Sequence, residues 1–133
     1  MLVLVLAAAS PRPGALLDFH HVWGLVVIVG NGIAGCWALA AWRVASLRTR
    51  ALWWFTLFVE AAVFVQVASG LGLVEGEGLR PPAFHPFYGF LAVVVVGFLY
   101  AYRNRLRPRL YLLYGLGGLF LMGIGVRALV TAG

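Results

Sequence analysis

The chain has 133 residues, 63% of them hydrophobic and only 11% charged, with a net charge of +6. A soluble domain is roughly a quarter charged, and one this short leaves much of its surface in water. The composition therefore excludes an ordinary soluble fold and predicts an integral membrane protein. The positive charge does not point to nucleic acid, because the arginines gather at the ends of apolar runs, as topology signals do. There is no Lys, which suggests a high-GC, bacterial genome and a multi-pass protein of the cell membrane.

Met1 to Ser10 is apolar but short for a span, and it lacks the basic region of a signal peptide. It reads as an interfacial segment or a removed leader, so retention of residues 1–14 is left open. Pro11, Arg12, Pro13 and Gly14 break it, and Pro13 can open the first helix.

About 20 apolar residues cross the hydrocarbon core as a helix. Four segments qualify: 15–42, 52–74, 86–102 and 110–130. Backbone groups in lipid must be satisfied within the segment, and these runs do not alternate, so helices are expected and not a barrel. Arg43, Arg48 and Arg50 lie in the first connection. Arg103, Arg105, Arg107 and Arg109 lie in the third. These two face the cytoplasm by the positive-inside rule, which leaves both termini and the second connection, with Glu75, Glu77 and Arg80, outside. Cys36 lies within the first span and reads as a packing residue.

One sequence element occurs twice. Phe19-His20-His21-Val22-Trp23-Gly24 opens the first span, and Phe84-His85-Pro86-Phe87-Tyr88-Gly89 opens the third. Each has the form FHxxxG, with an aromatic residue before the Gly. The two spans run in the same direction. The expected fold is an all-α four-helix membrane bundle, a single domain made of a tandem parallel repeat of a two-helix unit, 15–74 and 82–130. Gly24, Asn31, Gly35 and Ala38 on the first helix, and Gly115, Gly118, Met122 and Gly125 on the fourth, mark close-packing faces.

His20 and His85 then fall at equal depth near the outer surface. A haem between two helices needs two axial imidazoles across a bundle and room for a flat macrocycle. Gly24 and Gly89, one turn from each His, would supply the room. A helix N-terminus disfavours the imidazolium, which agrees with ligation by neutral imidazole. Interfacial anchoring is the plainer role for such residues. His21 lies about 100° around the helix from His20, and is the alternative ligand. A third arrangement gathers all three His with Asp18, Glu75 or Glu77 around a zinc, copper or iron ion.

Arg127 in the last turns of the fourth span, and Arg80 in the outer loop, are candidates to hold haem propionates; snorkelling to headgroups is the alternative for Arg127. Glu60 lies deepest, about 13 Å along the second helix from its inner end. It is a candidate for proton exchange, quinone binding or ion pairing, with Asn31 and Gln66 as expected neighbours. No phosphate loop, CxxC pair, HExxH helix or serine-nucleophile motif occurs.

The repeated FHxxxG at the heads of parallel helices resembles small four-helix membrane cytochromes of the haem b class. The likeness covers the two motifs and the four-span plan. It implies haem b held by His20 and His85 as axial ligands, and electron transfer with a quinol or an outer-face redox protein. The second and fourth spans contain no His, unlike relatives that carry two haems, so one bis-His haem is expected and not a transmembrane relay. Two other classes stand beside this reading. One is a non-enzymatic accessory or assembly subunit of a larger membrane complex. The other is a small transporter or channel centred on Glu60.

Overall fold

A computed structural model describes residues 14–132. The readings made of Met1 to Ser10 and of Pro13 lie outside the described residues. Four helices are long and apolar enough to cross a membrane. They are α1 (Ala15–Arg43), α2 (Arg50–Leu71), α3 (His85–Tyr102) and α4 (Leu110–Ala132). At 1.5 Å per residue α1 is about 43 Å long and α3 about 27 Å. No β-strand occurs among the described residues.

Short connections make each helix antiparallel to the next. A 3₁₀ turn at Ala45–Leu47 links α1 to α2, and another at Arg107–Arg109 precedes α4. The bundle therefore has an arginine end, with these two connections, and a histidine end. Gly14 and Ala132 share the histidine end. Arg48 closes the arginine end of α1: its Nε donates to Ala41 O at 2.7 Å and a terminal nitrogen donates to Trp42 O at 2.9 Å. These are carbonyls that a helix C-terminus leaves without partners. The other end of α2 continues through a π-helical turn, Gly72–Gly76.

Packing is unequal around the bundle. The α1/α4 seam is the most extensive and the α2/α3 seam is loose. The small residues explain the first. A Cβ on Gly35 would come within 2.8 Å of Gly115 O and Leu119 N, and one on Gly118 within 2.8 Å of Gly35 Cα. Only glycine lets these two backbones approach so closely. The core joins Val27, Ala62, Val63, Val96, Leu99 and Leu121 from all four helices. On α3 only Val96 and Leu99 are buried.

The diagonal pairs meet at opposite ends. At the histidine end the rings of His20 on α1 and His85 on α3 are 6.0 Å apart. At the arginine end Trp53 on α2 packs on Tyr111 and Tyr114 of α4, each at 5.3 Å.

Candidate functional site

His20 lies in the second turn of α1 and is half-buried. Its Nδ1 is 2.7 Å from Ser69 Oγ, and Ser69 Oγ is 2.7 Å from Gln66 O. A hydroxyl has one proton, and a carbonyl can only accept. Ser69 therefore donates to Gln66 O, and His20 Nδ1–H donates to Ser69. His20 Nε2 is left as a lone pair. The Gln66 amide is consistent with this: its Nε2 donates to His20 O at 2.9 Å and faces His20 Nε2 at 3.4 Å. Gly70 makes room for the ring, since a Cβ there would come within 3.2 Å of His20 Cε1.

His85 is the first residue of α3, with Phe84 as its cap and Pro86 following. It too is half-buried. Its Nδ1 is 3.3 Å from Ala128 O on α4. The acceptor here is a carbonyl, so Nδ1 carries the proton and Nε2 is a lone pair. Each His is thus held through Nδ1 by the second helix of its own hairpin. The rings meet at an interplanar angle of 69°.

His21 is exposed, and its ring contacts His20 at 6.4 Å; the geometry joins His20, and not His21, to His85. No group of three or more His, Cys, Asp or Glu side chains is gathered around a metal position among the described residues. That leaves the three-His arrangement with Asp18, Glu75 or Glu77 unassembled. A bare zinc site takes three or four protein ligands, whereas two protein donors suffice where a macrocycle fills the other positions.

The space for a macrocycle is partly taken. A Cβ on Gly24 would come within 2.9 Å of Gln66 Nε2, and one on Gly89 within 3.6 Å of Val67 Cγ2. The gap beneath His20 therefore holds the end of a flexible side chain. The gap beneath His85 is closed by ordinary packing. A flat group would enter between the rings only if the Gln66 amide, which is bonded to His20, turned aside. Gln66 Oε1 is buried without a hydrogen-bond partner, so that amide is incompletely satisfied where it sits.

Arg127 is exposed beside the pair. Its Nε donates to Tyr88 Oη at 3.3 Å, and it precedes Ala128, the acceptor for His85. Arg80 is exposed in the α2–α3 connection and makes no hydrogen bond or ion pair among the described residues.

Glu60 is half-buried and lacks a hydrogen bond or ion pair among the described residues; Tyr114 is within its electrostatic reach. Its expected neighbours are elsewhere engaged. Gln66 has turned to His20, and Asn31 Nδ2 donates to Val27 O at 2.9 Å. The Asn31 Oδ1 and Thr56 Oγ1 atoms are buried without partners.

Ser69 and Gly70 were missed by sequence reasoning. Serine and glycine near the end of an apolar span look like packing residues, and only their pairing with His20 distinguishes them. No family model, curated protein or solved structure matches this chain.

Proposed function

We propose that the protein is a four-span protein of the bacterial cell membrane that binds one haem b near the outer leaflet and transfers electrons there. One observation supports the reading: two half-buried imidazole rings lie 6.0 Å apart across the bundle, each with Nδ1 engaged and Nε2 left as an acceptor, which in His20 faces the Gln66 amide. Two imidazole nitrogens at about 2 Å from a shared ion bring ring centres to roughly 6 Å. The orientation is supported by the arginine-rich connections, which favour the histidine end and both termini outside. The repeat of the two-helix unit belongs to the same proposal and is supported by the matched roles of His20 and His85.

Bound haem supplies one-electron exchange. His20 and His85 would hold it, and Ser69 and Ala128 would orient the two rings through Nδ1, as outer-shell acceptors do for ligating His. Arg127, which bonds Tyr88, would be the donor to a propionate, with Arg80 from the loop a second. Gln66 would have to turn aside to admit the ring. The surrounding apolar side chains limit water. The electron partner is a quinol in the outer leaflet or a redox protein at that surface.

The test is the visible spectrum of detergent-purified protein after haem-replete expression. A low-spin bis-imidazole spectrum is expected, lost or converted in His20→Ala and His85→Ala and retained in His21→Ala. Colourless protein that does not change on adding hemin overturns the reading. A second reading, an accessory subunit of a larger membrane complex, is favoured by the largely uncovered α3 and its loose seam with α2. Stable copurification with a partner, without haem, would support it.

A further inference from the structure

Arg50, Trp53, Trp54 and Leu57 line a cleft of about 240 Å³ on the exposed side of α2, at the arginine end. Their spacing of i, i+3, i+4 and i+7 makes them one stripe along the helix. The stripe changes chemistry with depth. Arg50 is the first residue of α2, the two tryptophans follow one turn on, and Leu57 is about 10 Å along the axis from Arg50. Trp54 is 70% exposed and Leu57 56%, so the bundle leaves both apolar walls uncovered. Trp53 is the fixed wall. It packs on Tyr111 and Tyr114 of α4, each at 5.3 Å, and the Arg48 guanidinium lies over Tyr111 at 5.4 Å.

Charge decides the ligand. Seven of the ten arginines lie in or beside the two connections at this end, and neither connection contains an acidic residue. Arg48 caps α1, Arg43 lies over Trp42 and Arg103 over Tyr100. Arg50 is exposed and makes no hydrogen bond, ion pair or ring contact among the described residues. We infer that this cleft holds one anionic phospholipid, its phosphate on Arg50 and an acyl chain along Trp54 and Leu57. A guanidinium offers a phosphate a planar fork of donors. Tryptophan suits the boundary between headgroup and chain. A phospholipid presents the matching groups in the same order with depth. A zwitterionic headgroup would bring its own cation among arginines that have no carboxylate beside them, so the cleft selects a lipid of net negative charge. The inference rests on the membrane-spanning reading and is independent of the haem.

The experiment is tryptophan fluorescence of the full chain in phosphatidylcholine vesicles that contain a minor fraction of phosphatidylglycerol. One lipid or the other carries brominated acyl chains, which quench an indole they touch. Brominated phosphatidylglycerol is expected to quench more than brominated phosphatidylcholine at the same mole fraction. Arg50→Gln is expected to weaken the preference for phosphatidylglycerol about fivefold, the effect of one arginine near a membrane surface. Arg50→Lys should retain part of it, and Arg105→Gln, in the third connection, should leave it unchanged. Trp54→Phe should remove most of the selective quenching, because that indole reports from the cleft. Equal quenching by the two lipids in wild type overturns the inference and leaves the membrane reading intact. An equal loss of preference in Arg50→Gln and Arg105→Gln also overturns it, since a diffuse field and not a site would then be responsible. So does displacement of the lipid by excess inorganic phosphate, which would make the cleft a free-anion site. Protein that does not enter the vesicles overturns both readings. The wild-type comparison decides even if a variant fails to fold.

Discussion

His20 and His85 lie 65 positions apart in the chain, on helices that share no extensive seam, yet their rings are 6.0 Å apart and both are held through Nδ1. The arrangement exists because each ring is tied back to the second helix of its own hairpin.

The tautomers are directly testable. Nitrogen-15 NMR of ligand-free protein in detergent should show His20 protonated at Nδ1 and bare at Nε2. In Ser69→Ala the preference should weaken, and the lost hydrogen bond should cost about 1 kcal/mol of stability. An Nε2–H tautomer in wild type would remove the basis for ligation.

Gln66 occupies the space that a planar group needs. Replacing it by Ala clears the gap beside Gly24 and also removes a buried oxygen without a partner. Hemin titration of Gln66→Ala should show tighter binding or faster uptake than wild type. Weaker binding would mean that Gln66 holds His20 more than it obstructs the site.

The α1/α4 crossing has little tolerance. Gly118→Ala places a methyl group 2.8 Å from Gly35 Cα, and overpacking of this kind costs about 1–3 kcal/mol. Gly97 and Gly123 have nothing within 4 Å of an added Cβ. Gly97→Ala and Gly123→Ala should be neutral or stabilising by up to about 1 kcal/mol, since Ala is the better helix former. Unfolding in mixed micelles, compared across the three variants, checks the contrast.

Topology can be read by thiol labelling in a Cys36→Ser background. Ser46→Cys and Asn104→Cys should be reached only from the cytoplasm, and Gly76→Cys only from outside. The reverse pattern would move the histidine end to the inner face.

Arg48 should act as a helix cap as well as a topology charge. Arg48→Lys keeps the charge but loses the fork that reaches Ala41 O and Trp42 O. It should leave the labelling pattern unchanged while lowering stability by about 1 kcal/mol. Unchanged stability would show that water satisfies those carbonyls equally well.

The four helices and their short connections were legible in the sequence, because unbroken apolar runs of spanning length leave the backbone no partner but itself. The close-packing faces were legible too: Gly35 on α1 and Gly115 and Gly118 on α4 have a physical use in an apolar helix, and close approach is that use, but that these two faces meet each other was not. Ring orientation was not legible. It depends on Ser69, whose hydroxyl matters only because Gln66 O claims its proton and leaves it an acceptor for His20. Nor could the sequence show that the room beside Gly24 is filled from α2, or that Gln66 belongs with His20 and not with Glu60. Apolar periodicity reports which segments are helices. Which polar atom meets which is decided by the rotation and depth of each helix against its neighbours, and only the packed bundle sets those.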